Sequence, residues 1–214
     1  MRKGKTILAI LACVAGFICT YYFSEEPKID EIQKEIAEKV LRFHVLANSD
    51  SDEDQELKLE VKKAVVDYLD SYLNQENLTL EETKNIVEMQ KEEIIQLAEQ
   101  VIRENGYDYS VNAELIKDYF PIKTYGDVTL PAGEYEAFRM NIGKAEGKNW
   151  WCILYPPICF VDASYGYLPD DSKEMLKNVL DEECFQAVAK GNTDGKVEVR
   201  FKLWDMLCDC FSKK

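Results

Sequence analysis

Histidine is almost absent from this chain: His44 is the only one in 214 residues. No paired C-x-x-C knuckles accompany it, so neither a structural zinc site nor any other metal centre is expected. No Gly-rich loop of the kind that cradles phosphate occurs, and no G-x-S-x-G nucleophile turn. Bases are also short, with 26 Lys and Arg against 40 Asp and Glu and a formal net charge of −14. Three of those bases, Arg2, Lys3 and Lys5, lie in residues 1–24, where there are no acids. The remaining body therefore carries 23 bases against 40 acids, or −17. Such a body repels phosphate backbones, which excludes a nucleic-acid partner. An apolar content of 46% excludes wholesale disorder.

One long apolar run is present. MRKGK is followed by TILAILACVAGFICTYYF over residues 6–23 and then by SEEP. Positive charge ahead of an uncharged apolar stretch reads as a signal peptide or signal anchor. The run is long for a signal peptide core and short for a spanning helix. No A-x-A cleavage site follows it, although Cys13-Val14-Ala15 offers small residues at the right spacing, and Ile10–Cys13 weakly resembles a lipoprotein box. The expected organisation is an export or anchor segment at 1–24, a helical stalk at 25–39, an α+β domain at 40–205 and a short tail at 206–214. Cys13 and Cys19 belong to the export segment. The five body cysteines would then sit outside the cytosol, and their odd number leaves one without a partner in the chain.

Periodicity gives the elements. Ile29, Ile32 and Ile36 mark a short amphipathic helix, and Val40–Ala47 reads as a buried strand. Ser51 with Asp54 forms an S-x-x-D capping box for a helix reaching Leu73, with Leu57, Val61, Ala64, Val65, Tyr68 and Tyr72 on its apolar face. Thr79 and Glu82 form a second box for a long helix that runs to Asn105-Gly106. Tyr107–Leu115 alternates as a strand. Tyr135–Ile142 and Trp150–Tyr155 are expected to pair as a hairpin across Gly143–Lys148. Asp170–Lys190 reads as one helix ended by Gly191, and Val197–Leu203 as a half-exposed last strand. The sum is a single α+β domain, a mostly antiparallel or mixed sheet of about five strands packed by about four helices.

The strand at 40–47 feeds a polar loop that opens a helix, a common way to build a site. Asn48, Asp50, Asp52, Asp54 and Glu56 alternate oxygen donors there. A calcium loop would need Gly sixth and Glu twelfth. Counting from Asn48 those places hold Glu53 and Leu59, and from Asp50 they hold Gln55 and Val61, so capping and solvated acids explain the pattern better. His44 as a general base with Ser49 or Asp50 is conceivable chemistry. Its neighbours Phe43 and Val45 favour instead a structural or interface histidine.

The phrases themselves point further. R-x-H-V-x-A-N-S-D-S, then D-Q-x-x-K, in residues 42–58, together with K-T-Y-G-D, L-P-A-G-E-Y, G-K-N-W-W-C and P-P-x-C-F-V-D in 121–162, resemble the stage II sporulation protein R family. The resemblance covers about 70 residues in order. It implies a signalling protein made in the forespore and exported across the inner forespore membrane into the intermembrane space. There it would activate a membrane-embedded aspartic protease, which then processes the precursor of a mother-cell sigma factor. It implies no catalytic residues and no cofactor. Arg42, His44, Asn48, Asp50, Asp54, Gln55 and Lys58 match polar positions of the family phrase. They are expected to form or support the partner surface, or else to serve only loop architecture and capping. Trp150 and Trp151 alternate faces on a strand, so one anchors the core and the other is offered to the partner.

Pro156-Pro157 cannot continue a ladder and turns the chain, bringing Cys159 back toward Cys152 for a disulfide; the alternative is two buried thiols. The rival functional readings are a hydrolase using His44 and nearby acids, and a passive envelope-binding module.

Overall fold

The computed structural model describes residues 26–73, 75, 78–159 and 168–190, together with Val14. Among them are α1 (Glu26–Lys39), β1 (Leu41–Leu46), α2 (Asp52–Leu73), α3 (Leu80–Met89), α4 (Lys91–Glu104) and β2 (Val111–Phe120). Next come β3 (Lys123–Tyr125), β4 (Val128–Leu130), β5 (Gly133–Ile142), β6 (Asn149–Tyr155), α5 (Asp170–Val179) and α6 (Glu182–Lys190). This is the expected α+β class, with a mixed four-stranded sheet and a separate β3–β4 ladder. The export segment, the strand expected at Val197–Leu203, Gly191, the tail, Cys208 and Cys210 lie outside the described residues. No helix among the described residues is long and apolar enough to cross a membrane.

The sheet order is β2-β5-β1-β6. β1 is buried along almost its whole length, so both its faces need cover and the centre of the sheet supplies it. It runs parallel to β5 (Phe43 opposite Phe138) and antiparallel to β6 (Phe43 opposite Cys152). This corrects the expected hairpin: β5 and β6 are not neighbours, and the 143–148 turn spans β1 to join them. β2 and β5 do pair antiparallel over ten residues each.

Alternation along β1 separates two cores. Leu41, Phe43 and Val45 face α2, α3 and α4, packing with Leu57, Val61, Leu69, Ile94 and Phe138. Arg42 and His44 face the other way, toward the layer built by α1, the β3–β4 ladder, α5 and α6. The helix α1 is part of that layer, with Ile36 fully buried. The two tryptophans follow the same rule. Trp150 meets Phe43 on one face, and Trp151 stacks on His44 on the other.

Two expected helices are broken. Thr79 and Glu82 form their capping box, but the helix they open stops at Met89. Gln90 sits at φ −92°, ψ 1°, and its side-chain oxygen accepts a 2.6 Å hydrogen bond from the Tyr68 hydroxyl on α2. The ladder nearly continues, since Ile94 N still donates to Gln90 O, so the feature is a kink that lays α4 along the sheet. The second break, between α5 and α6, falls at Asp181, whose carboxylate accepts from Cys184 N and so opens α6. The strand expected from Tyr107 begins later, at Val111. Gly106, at φ +85°, ends α4, and Tyr107 and Tyr109 stack on each other in the connection.

Candidate functional site

The polar loop after β1 is a clamp on the 143–148 turn. Asn48 Oδ1 accepts from Lys144 N (3.0 Å), and Asp50 Oδ1 accepts from Lys148 N (2.7 Å). Gly147 N donates to Ala47 O and Glu146 N to Asn48 O. From α2, the buried Lys58 donates to Lys148 O (2.9 Å) and to Gln55 Oε1, while Gln55 Nε2 donates to Ser49 O. Residues nearly a hundred positions apart are thus tied by backbone and side chain together. The turn they hold contains Ala145 at φ +54°, a left-handed conformation that costs a non-glycine residue about 1 kcal/mol.

Asp54 completes the clamp. The capping box at Ser51 is only half made. Asp54 N donates to Ser51 Oγ (3.2 Å), but the Asp54 carboxylate turns instead to Asn48 Nδ2 (2.8 Å) and Ser49 Oγ (2.5 Å). Burial opposes its charge. Hydrogen bonds from Ser49, Asn48 and Tyr109 outweigh that and hold its carboxyl below the usual range. Lys58 is also shifted down, but for the opposite reason. Burial lowers its amine, with Asp50 opposing.

Arg42 and His44 stand apart from this clamp, buried in the opposite layer. His44 is 2% exposed and lies between Trp151 (rings 4.9 Å apart and nearly parallel) and Phe120 (5.2 Å). Its Nε2 is 3.3 Å from Asp118 Oδ2, yet outside hydrogen-bond geometry, and neither ring nitrogen has a partner. Asp118 is bound instead by Arg139, which also grips Glu114. Burial lowers the His44 pKa to about 4. Asp118 opposes the shift, and Arg139 and Arg42 add to it. Arg42 donates through Nε to Cys152 O and through Nη2 to the Tyr125 hydroxyl, with its guanidinium over the Phe120 ring at 4.3 Å.

The sequence-predicted residues therefore fall into two groups on opposite faces of β1. Asn48, Asp50, Asp54, Gln55 and Lys58 converge on the turn. Arg42 and His44 join Trp151 in an aromatic layer, and Trp150 sits half-buried on the clamp side beneath Lys62, whose ammonium is 4.9 Å from the ring. Sequence reasoning missed Gly147, Tyr109 and Asp118, and it missed Tyr125 and Lys123 as neighbours of Arg42, although K-T-Y-G-D contains both.

A match to the family model for stage II sporulation protein R spans residues 37–165, which includes the clamp, the aromatic layer and both tryptophans. The chain belongs to that family. Stage II sporulation protein R of Bacillus subtilis (strain 168) is 34% identical over 188 residues, covering 83% of this chain and 84% of its relative. No solved structure matches. In this family member the expected Cys152–Cys159 disulfide is formed, seven residues apart, and closes the turn at the end of β6. Closing a loop of about eight residues is worth roughly 2.5 kcal/mol in the loop-entropy picture. Cys152→Ser with Cys159→Ser is therefore expected to lower stability by about that amount, measured by urea unfolding, and to abolish the response of the wild-type transition to reductant.

Glu35, Asp181 and Cys184 bring ligand atoms within 4.8 Å of one another. The Lys39 ammonium already bridges the two carboxylates at 2.9 and 3.0 Å. The Cys184 thiol is pushed up to about 12 by burial and by Asp181, far from a thiolate ligand. The cluster reads as an ion-pair triad that joins α1 to α6.

Proposed function

We propose that this chain is an extracytoplasmic sporulation signal that activates a membrane-embedded aspartic protease, which in turn processes the precursor of a mother-cell sigma factor. Membership of the stage II sporulation protein R family, supported by a relative of that name at 34% identity, carries this reading. The basic N-terminus with its apolar run, and the Cys152–Cys159 bond, agree with export from the forespore to the intermembrane space. The clamp supports a binding role. Its polar atoms are consumed internally, so its work is to fix the shape of a surface. That surface is the 143–148 turn, where Lys144, Glu146 and Lys148 are exposed, and the neighbouring half-buried Trp150. A ligand of this kind acts by binding the active arrangement of its protease more tightly than the inactive one.

A hydrolase reading fits the geometry poorly. His44 is buried, neutral and unpaired, and Ser49 spends its hydroxyl proton on Asp54 rather than on a base. Co-expression with the protease and its sigma precursor in a non-sporulating host tests the proposal. The full chain is expected to give precursor cleavage, and a form lacking residues 1–24 to give none. Cleavage with neither form sinks it. Asn48→Ala with Lys58→Ala is expected to cut cleavage at least tenfold at equal protein level, because both substitutions release the turn.

A further inference from the structure

Arg42 has no exposed surface at all, yet no acid among the described residues answers its charge. Nη1 lacks any hydrogen-bond partner, and among the described residues no carboxylate pairs with the guanidinium. Its neighbours are the rings of Phe120, Tyr125 and Tyr135, with centroids 4.3, 5.8 and 5.0 Å away. Rings soften the loss of water but do not supply a counter-charge, and an isolated buried ion is costly. Arg139, by contrast, holds two acids. A second cation lies close by. Lys123 is half-buried with its ammonium 5.4 Å from the Trp151 ring; burial and the charge of Arg42 both lower its amine. The Tyr125 hydroxyl accepts from Arg42, which leaves its own proton to be donated.

We propose that Arg42 Nη1, the Tyr125 hydroxyl and Lys123 form a carboxylate-binding site beside the β3–β4 ladder. The Nε and Nη2 groups already serve the protein, so a single N–H edge is left for an acceptor, and this favours a small planar group. The site is independent of the clamp, which lies on the other face of β1.

The thermal unfolding of the full chain tests this at pH 7 in sodium acetate against sodium chloride of equal ionic strength. Acetate is expected to raise the midpoint saturably, by about 4 °C at ten times its dissociation constant. Arg42→Met is expected to abolish the rise, and Lys123→Met and Tyr125→Phe to weaken it severalfold. Should Arg42→Met fail to fold, the other two variants decide. Equal rises in acetate and chloride, an undiminished rise in the variants, or a stronger effect of inorganic phosphate than of acetate overturns the proposal. A peptide with a free C-terminus acting at lower concentration than acetate, with its amide inert, identifies a protein chain end as the occupant. Equal potency of acetate and peptide identifies a small free carboxylate.

Discussion

Between pH 7 and pH 4.5 the domain is expected to lose about 2 to 3 kcal/mol of stability through one side chain, His44. Its folded pKa, about 4, lies below the ordinary histidine value of 6.5. The unfolded chain therefore takes up a proton near pH 6.5, while the folded chain resists until about pH 4. Unfolding binds a proton throughout that window, so stability is complete above it and falls as the pH drops. The groups facing the ring are Asp118 from β2, Arg139 from β5 and Arg42 from its own strand, with the Lys123 ammonium over the Trp151 ring. Only Asp118 would welcome an imidazolium. The chain has no second histidine to blur the window. Urea unfolding at pH 7.0, 5.5 and 4.5 measures the loss. His44→Phe is expected to flatten that part of the profile while leaving the carboxylate-driven loss below pH 4. An unchanged slope in His44→Phe would refute the assignment.

Gly147→Ala is expected to be the most damaging single methyl in the clamp. A β-carbon at Gly147 would lie 2.1 Å from the backbone oxygen of Ser49 and 2.9 Å from the Ala47 β-carbon. Neither can yield as a flexible side-chain tip would, so the turn must lift away from the strand end. The hydrogen bonds from Gly147 N, Lys148 N and the Lys58 ammonium would then be strained or lost together. Three such bonds at about 1 kcal/mol each, one of them from a charged donor, put the expected destabilisation at roughly 3 kcal/mol. Thermal unfolding measures that loss. Precursor cleavage in the co-expression assay is expected to fall with it, at temperatures where the variant remains folded. Gly106→Ala serves as the contrast. Nothing lies within 4 Å of its added carbon, so it should cost only the strain of φ +85° and leave cleavage intact.

The parts of the fold set by local chemistry were readable from the sequence. Thr79 and Glu82 cap as their spacing requires, Asn105-Gly106 ends a helix, and the alternation of Trp150 and Trp151 assigns them to opposite layers. The parts set by distant partners were not. Tyr135–Ile142 and Trp150–Tyr155 look like a hairpin because a turn joins them, and no local signal shows that Leu41–Leu46 slides between. Gln90 breaks a helix through its contact with Tyr68, and Asp181 by capping Cys184 N, and periodicity registers neither. At the site, the polar residues after β1 stood out at once, but they read equally as a partner surface or as loop architecture and capping. Only the far turn, nearly a hundred residues away, explains why Asn48, Asp50 and Lys58 have the chemistry they do. Asp54 is the plainest case. Its spacing from Ser51 predicts a capping box, and its carboxylate serves Asn48 and Ser49 instead.

The place of β1 has a kinetic consequence. Its first residues find their partners at positions 137 and 153, so the central ladder closes only after more than a hundred residues have been laid down. Until then the strand that ends up most buried in the sheet has two open edges and no neighbour. Such long-range pairing is slow to form, and its intermediates are prone to aggregate. Any fragment that ends before Tyr155 inherits the same defect permanently. A premature stop in that span therefore yields an aggregation-prone chain instead of a slightly weakened fold.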